Sequence, residues 1–362
     1  APPFQVGTPP AFQCASRLAQ HTPGGLNRVF FTNSGSEAVD TALKIAHLSQ
    51  FARGKGSKTR FISRELGYHG VNIGGTSVQG LPSNRHGFPL LAEVDFLPGM
   101  LDIKRNAFSR GCPPHGTDRM VAAFEQIVAL RGADSLCAVI IEPIAGAGGM
   151  VPPPRDYLQR LRELCDAHDI LLIFDEVITG FGRTGSAFAA IEFGVTPDMM
   201  TCAKGMNGGT VPMGGVFIKD SIQQAIFDAT PNTIPEFFHG NTYAGTPVAA
   251  AAGLAALDIY EGEGLFTGAR NAYWADTLHA LRDLPGVIDI RNYGLLGAVS
   301  FDPGQLPAKS LGPKIHQSCY DNGLLCRAIG DHMVMSPPLT ISEGEIDLFA
   351  ERFRRSVLAV RS

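Results

Sequence analysis

The 362-residue sequence has no apolar stretch long enough to cross a bilayer, since a spanning helix needs about 20 consecutive apolar residues. Residues 249–260, AAAAGLAALDIY, come nearest and are too short. No secretory signal pattern is visible. Charge is sparse: 30 Lys and Arg against 34 Asp and Glu leave a net −4. That balance offers no basic field for nucleic acid or an acidic membrane surface. The seven cysteines are scattered with no C-x-x-C pair, and the ten histidines show no ligand spacing, so no metal site is expected. Several cysteines sit in apolar runs, which reads as reduced core thiols in a cytoplasmic protein. There is no Ser-His-Asp set and no Walker loop. The glycine-rich GFGRTG at 180–185 lacks the lysine of a phosphate cradle for nucleotides and reads as an active-site loop. Repeats and low-complexity tracts are absent.

What remains is enough for a large buried core, with 44% apolar residues, 18% charged residues and 42 glycines. Apolar runs and amphipathic stretches alternate from residue 28 to about 220. Val29–Thr32, Ala138–Ile141 and Ile170–Phe174 read as strands, the last two continuous enough to be buried on both faces. Ser36–Arg53 and Tyr157–His168 have helical spacing. Strand, helix, strand is the pattern of an α/β fold. Residues 146–154 form a loop. Helices are expected at 246–260 and 264–284. From Val287 the pattern becomes short strands, a helix and short strands, closed by a helix at 343–358. It reads as a small α+β domain, with the boundary at 1–270 and 271–362.

The chemistry centres on Lys204. It follows an apolar segment and precedes glycines, while Asp175 ends the apolar run LLIFDEV. A lysine in an apolar pocket loses its proton readily and becomes a nucleophile. An acid at the end of a neighbouring strand can hold a pyridinium nitrogen. That pair is what pyridoxal 5'-phosphate requires.

Four motifs extend the pattern: FFTNSGSEAVDTALKIA (30–46), YHG (68–70), IFDEVITGFGRTG (173–185) and CAKGMNGGTVPMGGVF (202–217). From about Ala1 to Ser362 the chain resembles the class III pyridoxal-phosphate-dependent aminotransferases. GYHGVNIGGTS (67–77), NAFSRGCPPHG (106–116), EPIAGAGGMVPPP (142–154) and VIDIRNYGLLGAVS (287–300) are similar to the ω-amino acid–pyruvate, or β-alanine–pyruvate, branch. The resemblance implies fold type I: an α/β large domain with a mostly parallel sheet covered by helices, and a small C-terminal α+β domain.

It also implies roles. Lys204 carries the cofactor as a Schiff base, Asp175 contacts the pyridine nitrogen, and Val177 packs on the ring face. Gly35 and Ser36 bind the phosphate at a helix N-terminus, where an ordinary N-cap at Ser34 or Ser36 is the alternative. Tyr68 stacks on the ring, while His69 reads equally as structural. Thr242 reaches the phosphate of the neighbouring subunit, so a homodimer or dimer of dimers is implied. Arg327 binds the substrate carboxylate. Glu176 supports the site and Glu142 stands behind it, with a strand-end acid as the plain alternative. The chain departs from the family at Asn241, usually aromatic, at Thr246, usually histidine, and at Val334, where a polar residue can assist β-alanine binding.

The expected activity is transfer of an amino group from an ω-amino acid such as β-alanine to pyruvate, giving an oxo acid (3-oxopropanoate) and L-alanine. Other amine donors (taurine, 4-aminobutyrate, carboxylate-free amines), glutamate-1-semialdehyde-type amino shift and a truncated, inactive cofactor-binding protein stand as alternatives. The opening Ala1-Pro2-Pro3-Phe4 reads as mid-chain, as if an N-terminal segment were absent.

Overall fold

The computed structural model describes residues 6–90, 92–231 and 236–361; the opening Ala1–Phe4 lies outside them. Seven strands form the large sheet: β1 (Arg28–Thr32), β2 (Arg60–Arg64), β3 (Val94–Leu97), β4 (Leu136–Ile141), β5 (Leu171–Asp175), β6 (Met199–Cys202) and β7 (Gly214–Ile218). Their order is β1-β7-β6-β5-β4-β2-β3. From β3 to β6 neighbours run parallel, and β7 pairs antiparallel with both β6 and β1. Every residue of β4 and β5 is buried. The reason is visible in the side-chain alternation. Ala138, Ile140 and Ile173 join the cluster under helix Gly35–Ala52. Val139, Ile141, Leu172 and Phe174 join the cluster that contains Leu158, Leu161 and Cys165 of helix Tyr157–Ala167. Helices on both faces require apolar side chains at successive positions, hence the unbroken runs.

The second sheet holds β8 (Val287–Tyr293), β9 (Leu296–Phe301), β10 (Arg327–Ile329) and β11 (His332–Met335), all antiparallel in the order β10-β11-β9-β8. Helices Leu311–Asp321 and Glu343–Arg361 cover it through a core of Trp274, Ile315, Val299 and Phe353. The helix expected over 264–284 is shorter, Asn271–His279. Gly264 and Gly268 take positive φ (61° and 64°), which interrupts the helical backbone before it. Beyond the expected elements the chain forms, among others, the helices Pro9–Gln20 and Thr117–Arg131, the edge strand β3 and the antiparallel β7.

Among the described residues no helix is long and apolar enough to cross a membrane. A buried ion pair joins the small sheet to the loop after β4. Arg291 donates to Asp289 (2.6 Å), to Ser300 Oγ (2.7 Å) and through Nε to the carbonyl of Gly149 (2.9 Å).

Candidate active site

In a parallel sheet the carboxyl ends of the strands point to one edge, and ligands collect there. Here that edge presents Glu142 after β4, Asp175 at the end of β5 and Lys204 just past β6. The pairing of Asp175 with Thr201 sets the register.

Asp175 is buried and fully engaged. One oxygen accepts from Thr201 Oγ1 (3.1 Å) and the Val177 amide (3.2 Å), and the other lies 2.8 Å from His69 Nδ1. A carboxylate that takes two other donors requires Nδ1–H as the third donor. His69 is itself buried, and its Nε2 has no partner. The bond to Asp175 is therefore the ring's one side-chain hydrogen bond, and it fixes the imidazole beside the carboxylate. Sequence reasoning missed His69 as the partner of Asp175, and missed Thr201 altogether. The available signal was positional: Thr201 sits across from Asp175 on the next strand.

Lys204 opens the short turn Lys204–Asn207 with φ +43°, an unusual backbone for a side-chain-bearing residue. Its side chain is accessible through a cavity mouth, yet surrounding atoms lower its pKa by desolvation. Asp175 and Glu142 oppose that shift, and Arg327 adds to it.

Glu142 is buried, and burial pushes its carboxyl up. Its oxygens accept from the amides of Tyr68 (3.0 Å) and Gly146 (2.8 Å), so it sets the backbone that presents Tyr68. Behind it the buried Arg64 donates to the Glu142 carbonyl (2.7 Å). Glu176 turns away from Asp175. It accepts from Thr179 Oγ1 (2.9 Å) and the amides of Ala189 (2.7 Å) and Ala190 (2.8 Å), and burial pushes it up to about 7. It ties the 176–190 loop together.

At the other end, Ser34 caps helix Gly35–Ala52. Its Oγ accepts from the Glu37 amide (3.2 Å), while Glu37 Oε2 accepts from the Asn33 amide (2.7 Å). With Ser34 so occupied, Ser36 is the serine left nearer the cavity, its Oγ accepting from the Val71 amide (3.1 Å). Gly35 tolerates no side chain: a Cβ would stand 2.9 Å from Val177 Cγ2. Gly70, at φ +93°, would place one 2.6 Å from Ser36 Oγ.

These residues line a cavity of about 160 Å3 containing Gly35, Ser36, Tyr68, Asp175, Val177 and Lys204. It opens beside a larger one of about 920 Å3, which Lys204 shares with Arg327, Val334 and Tyr260. Arg327 is exposed on β10, opposite the buried Val334. Thr242 is exposed in a turn before helix Pro247–Gly262 and lines neither cavity.

The small cavity offers a helix N-terminus with small residues at one end, an anchored carboxylate at the other, and an amine of lowered pKa. A phosphate, a protonatable ring nitrogen and an aldehyde match those three features. The residues present therefore fit pyridoxal phosphate, and together they define a pyridoxal-phosphate enzyme of the α/β class.

Comparison with known proteins narrows the class. The family described as "Aminotransferase class-III" matches residues 4–357. An omega-aminotransferase of Caulobacter vibrioides is 50% identical over 358 residues, covering 98% of this chain and 81% of the relative. An omega-amino acid–pyruvate aminotransferase of Pseudomonas putida is 42% identical over 351 residues, with 96% and 78% covered. Among solved structures, the omega transaminase of Pseudomonas jessenii in complex with PMP superposes with a TM-score of 0.93 at 34% identity, covering 99% of this chain and 81% of that one. The chain belongs to the class III aminotransferases, a pyridoxal-phosphate-dependent family.

Proposed function

We propose that the protein moves the amino group of an ω-amino acid, β-alanine or a similar donor, to pyruvate, releasing an oxo acid (3-oxopropanoate from β-alanine) and L-alanine. The observation that carries this reading is that Lys204 and Arg327 face one cavity. The donor's amine and pyruvate's carbonyl would each react beside the first, and the carboxylate that both substrates carry would meet the second. When bound, pyridoxal phosphate supplies an aldehyde carbon and an electron-withdrawing pyridinium ring.

This chain's residues do the rest. Lys204 Nζ, its pKa lowered by desolvation, would hold the cofactor. The same amine would be placed to take a proton from the donor's amine-bearing carbon. Asp175, hydrogen-bonded by His69 and Thr201, would face the pyridine nitrogen and favour its protonated form. Gly35 and Ser36 hold the phosphate, Tyr68 and Val177 give the ring apolar contact, and Arg327 holds the carboxylate. Because Arg327 sits exposed on a three-residue strand, it can serve both a distal carboxylate in the donor and an adjacent one in pyruvate.

The proposal extends to assembly. Thr242 is flanked by the exposed aromatics Phe238 (88%) and Tyr243 (66%), which supports burial of this turn against a second copy and a phosphate contact across it. The large domain is taken as 1–270 and the small as 271–362, in a cytoplasmic homodimer or dimer of dimers.

A second reading has its own observation. Val334, the cross-strand neighbour of Arg327, offers no polar help to a donor carboxylate, which favours amine donors without one. A donor panel with pyruvate tests both. The first reading expects β-alanine-type donors to give alanine at rates above simple alkyl amines, and the reverse order would replace it with the second.

A further inference from the structure

The GFGRTG loop after Asp175 holds one charged residue that the proposed roles leave unused, Arg183. The loop itself is rigid. Glu176 ties its two ends through Thr179, Ala189 and Ala190. Within it the Phe181 amide donates to the Ala187 carbonyl (2.6 Å) and the Gly185 amide to the Gly182 carbonyl (3.1 Å). Phe181 is buried against Phe188, with ring centroids 5.2 Å apart. It also presses on the residue after Lys204: a Cβ at Gly205 would stand 2.8 Å from Phe181 Cβ. The loop is thus fixed against the segment that carries the lysine.

Two residues beyond Phe181, Arg183 grips the small sheet. Its carbonyl accepts from the Leu295 amide (3.1 Å), in the turn that leads into β9. Its guanidinium Nη1 donates to the Pro337 carbonyl, just past the end of β11. β9 and β11 are neighbours, with Gly297 opposite Met335, so the two bonds clamp the same end of two adjacent strands. The approach is close: a Cβ on Gly294, at φ +54°, would collide with the Arg183 carbonyl oxygen. β10, which carries Arg327, pairs with β11 through Arg327 and Val334. Ser336, the neighbour of Pro337, lines the cavity that Lys204 and Arg327 share.

We infer that Arg183 is a positioning residue that sets where Arg327 stands relative to Lys204, and so which separation of amine and carboxylate a donor must have. The inference rests on the reading of Arg327 given above. Lys204 reaches the clamp through Gly205 and Phe181, Arg327 reaches it through β10 and β11, and the two paths meet at Arg183. Both partners of the clamp are main-chain groups, so they shift only with their strands. Without the guanidinium, the segment after β11 loses its tie to the loop, and β10 moves with it. The rotamers of Arg327 let it meet carboxylates in different orientations, but the strand fixes the centre about which they turn. A misplacement of about 1 Å in such a geometry costs up to about 100-fold.

The test uses the holoenzyme carrying Arg183→Met, which keeps the apolar stem and removes the donors. The KM for pyruvate and for β-alanine should rise by about tenfold, and the ratio of kcat/KM between β-alanine and 4-aminobutyrate should change by a similar factor. The half-reaction with a simple alkyl amine should stay within about twofold, because that donor does not use Arg327. Arg183→Lys, which keeps a cationic donor, should bring the KM values back to within about threefold. Gly294→Ala, which pushes the Leu295 turn off the loop, should reproduce the carboxylate-only loss, and it carries the test if Arg183→Met fails to hold cofactor. Arg183 also lines the cavity, so a double variant separates positioning from direct contact. Added to Arg327→Ala, Arg183→Met should cost no more than about twofold further, since a residue that acts through Arg327 then has nothing to act on. Losses that multiply would make Arg183 a carboxylate ligand in its own right and overturn the inference. An unchanged pyruvate KM and donor ratio, or an equal loss with the alkyl amine, would overturn it too. If Arg327→Ala raises the pyruvate KM while Arg183→Met does not, only the positioning inference fails. If Arg327→Ala leaves carboxylate substrates unaffected, the reading of Arg327 fails and the inference fails with it.

Discussion

The two sides of the active site are built in opposite ways. On the large-sheet side, Asp175 and Glu142 are buried, and both oxygens of each carboxylate have partners within 3.2 Å. On the small-sheet side, Arg327 stands exposed on a three-residue strand, and none of the ion pairs found among the described residues includes it. Buried, fully satisfied polar groups hold one geometry, because any displacement strands a charge or a donor. An exposed arginine on a short strand retains its rotamers and gives up little to move. On the proposed roles, the cofactor end is thus preorganised for one kind of chemistry, while the end that carries Arg327 stays adaptable. That division suits a reaction in which one cofactor meets two different substrates.

Substitutions on each side should differ in size and in which substrate they affect. Lys204→Ala is expected to remove both half-reactions, with turnover falling by about a thousandfold or more, because nucleophile and proton carrier vanish together. Single-turnover absorbance of each half-reaction checks this. Asp175→Asn should still bind some cofactor through the phosphate site but lose turnover by on the order of 100-fold or more for every substrate. A loss confined to one substrate would break the contrast. Arg327→Ala should do what Asp175→Asn does not. It should cost roughly 2–4 kcal/mol, or about 30- to 1000-fold in kcat/KM, for pyruvate and carboxylate donors only. Equal losses with a carboxylate-free amine would place Arg327 on the rigid side.

His69→Ala should lower kcat by about tenfold, since one charge-assisted hydrogen bond to Asp175 is lost. His69→Asn, which can donate from a similar position, should restore much of the rate; a merely structural histidine would leave kcat unchanged in both variants. The smallest effect concerns pH and Lys204. Its lowered pKa means that the neutral amine persists to lower pH than in free lysine. The rate at which apoenzyme takes up pyridoxal phosphate should rise with pH and level off below 10.5, the ordinary lysine value. A midpoint at or above that value would show that Lys204 is not desolvated.

The rigid side was the more legible in the sequence. Continuous apolar runs marked β4 and β5 because helices cover both sheet faces, and the acid ending LLIFDEV fell at the strand end where a site forms. Gly35 was named through the family resemblance as a phosphate residue, and the structure adds that only a small residue fits there against Val177. The partners were harder to see. His69 and Thr201 meet Asp175 only once β2, β5 and β6 lie in register, which is a long-range event without a local signature. Ser34 and Ser36 looked alike until the helix cap engaged one of them. Thr242 was named from a motif, and a single chain leaves it exposed and outside both cavities. The helix expected at 264–284 was too long because two glycines with positive φ carry no mark in the apolar spacing.

The central claim is that Lys204, with Asp175 as its partner across the cavity, is where the cofactor is held. Borohydride reduction of the holoenzyme followed by peptide mapping tests it most directly. The structure predicts a single pyridoxyl-labelled peptide, spanning residues 202–209 and modified at Lys204. Addition of an amine donor before reduction should abolish the label. A label on any other lysine, or one that persists in full after the donor is added, would contradict the account.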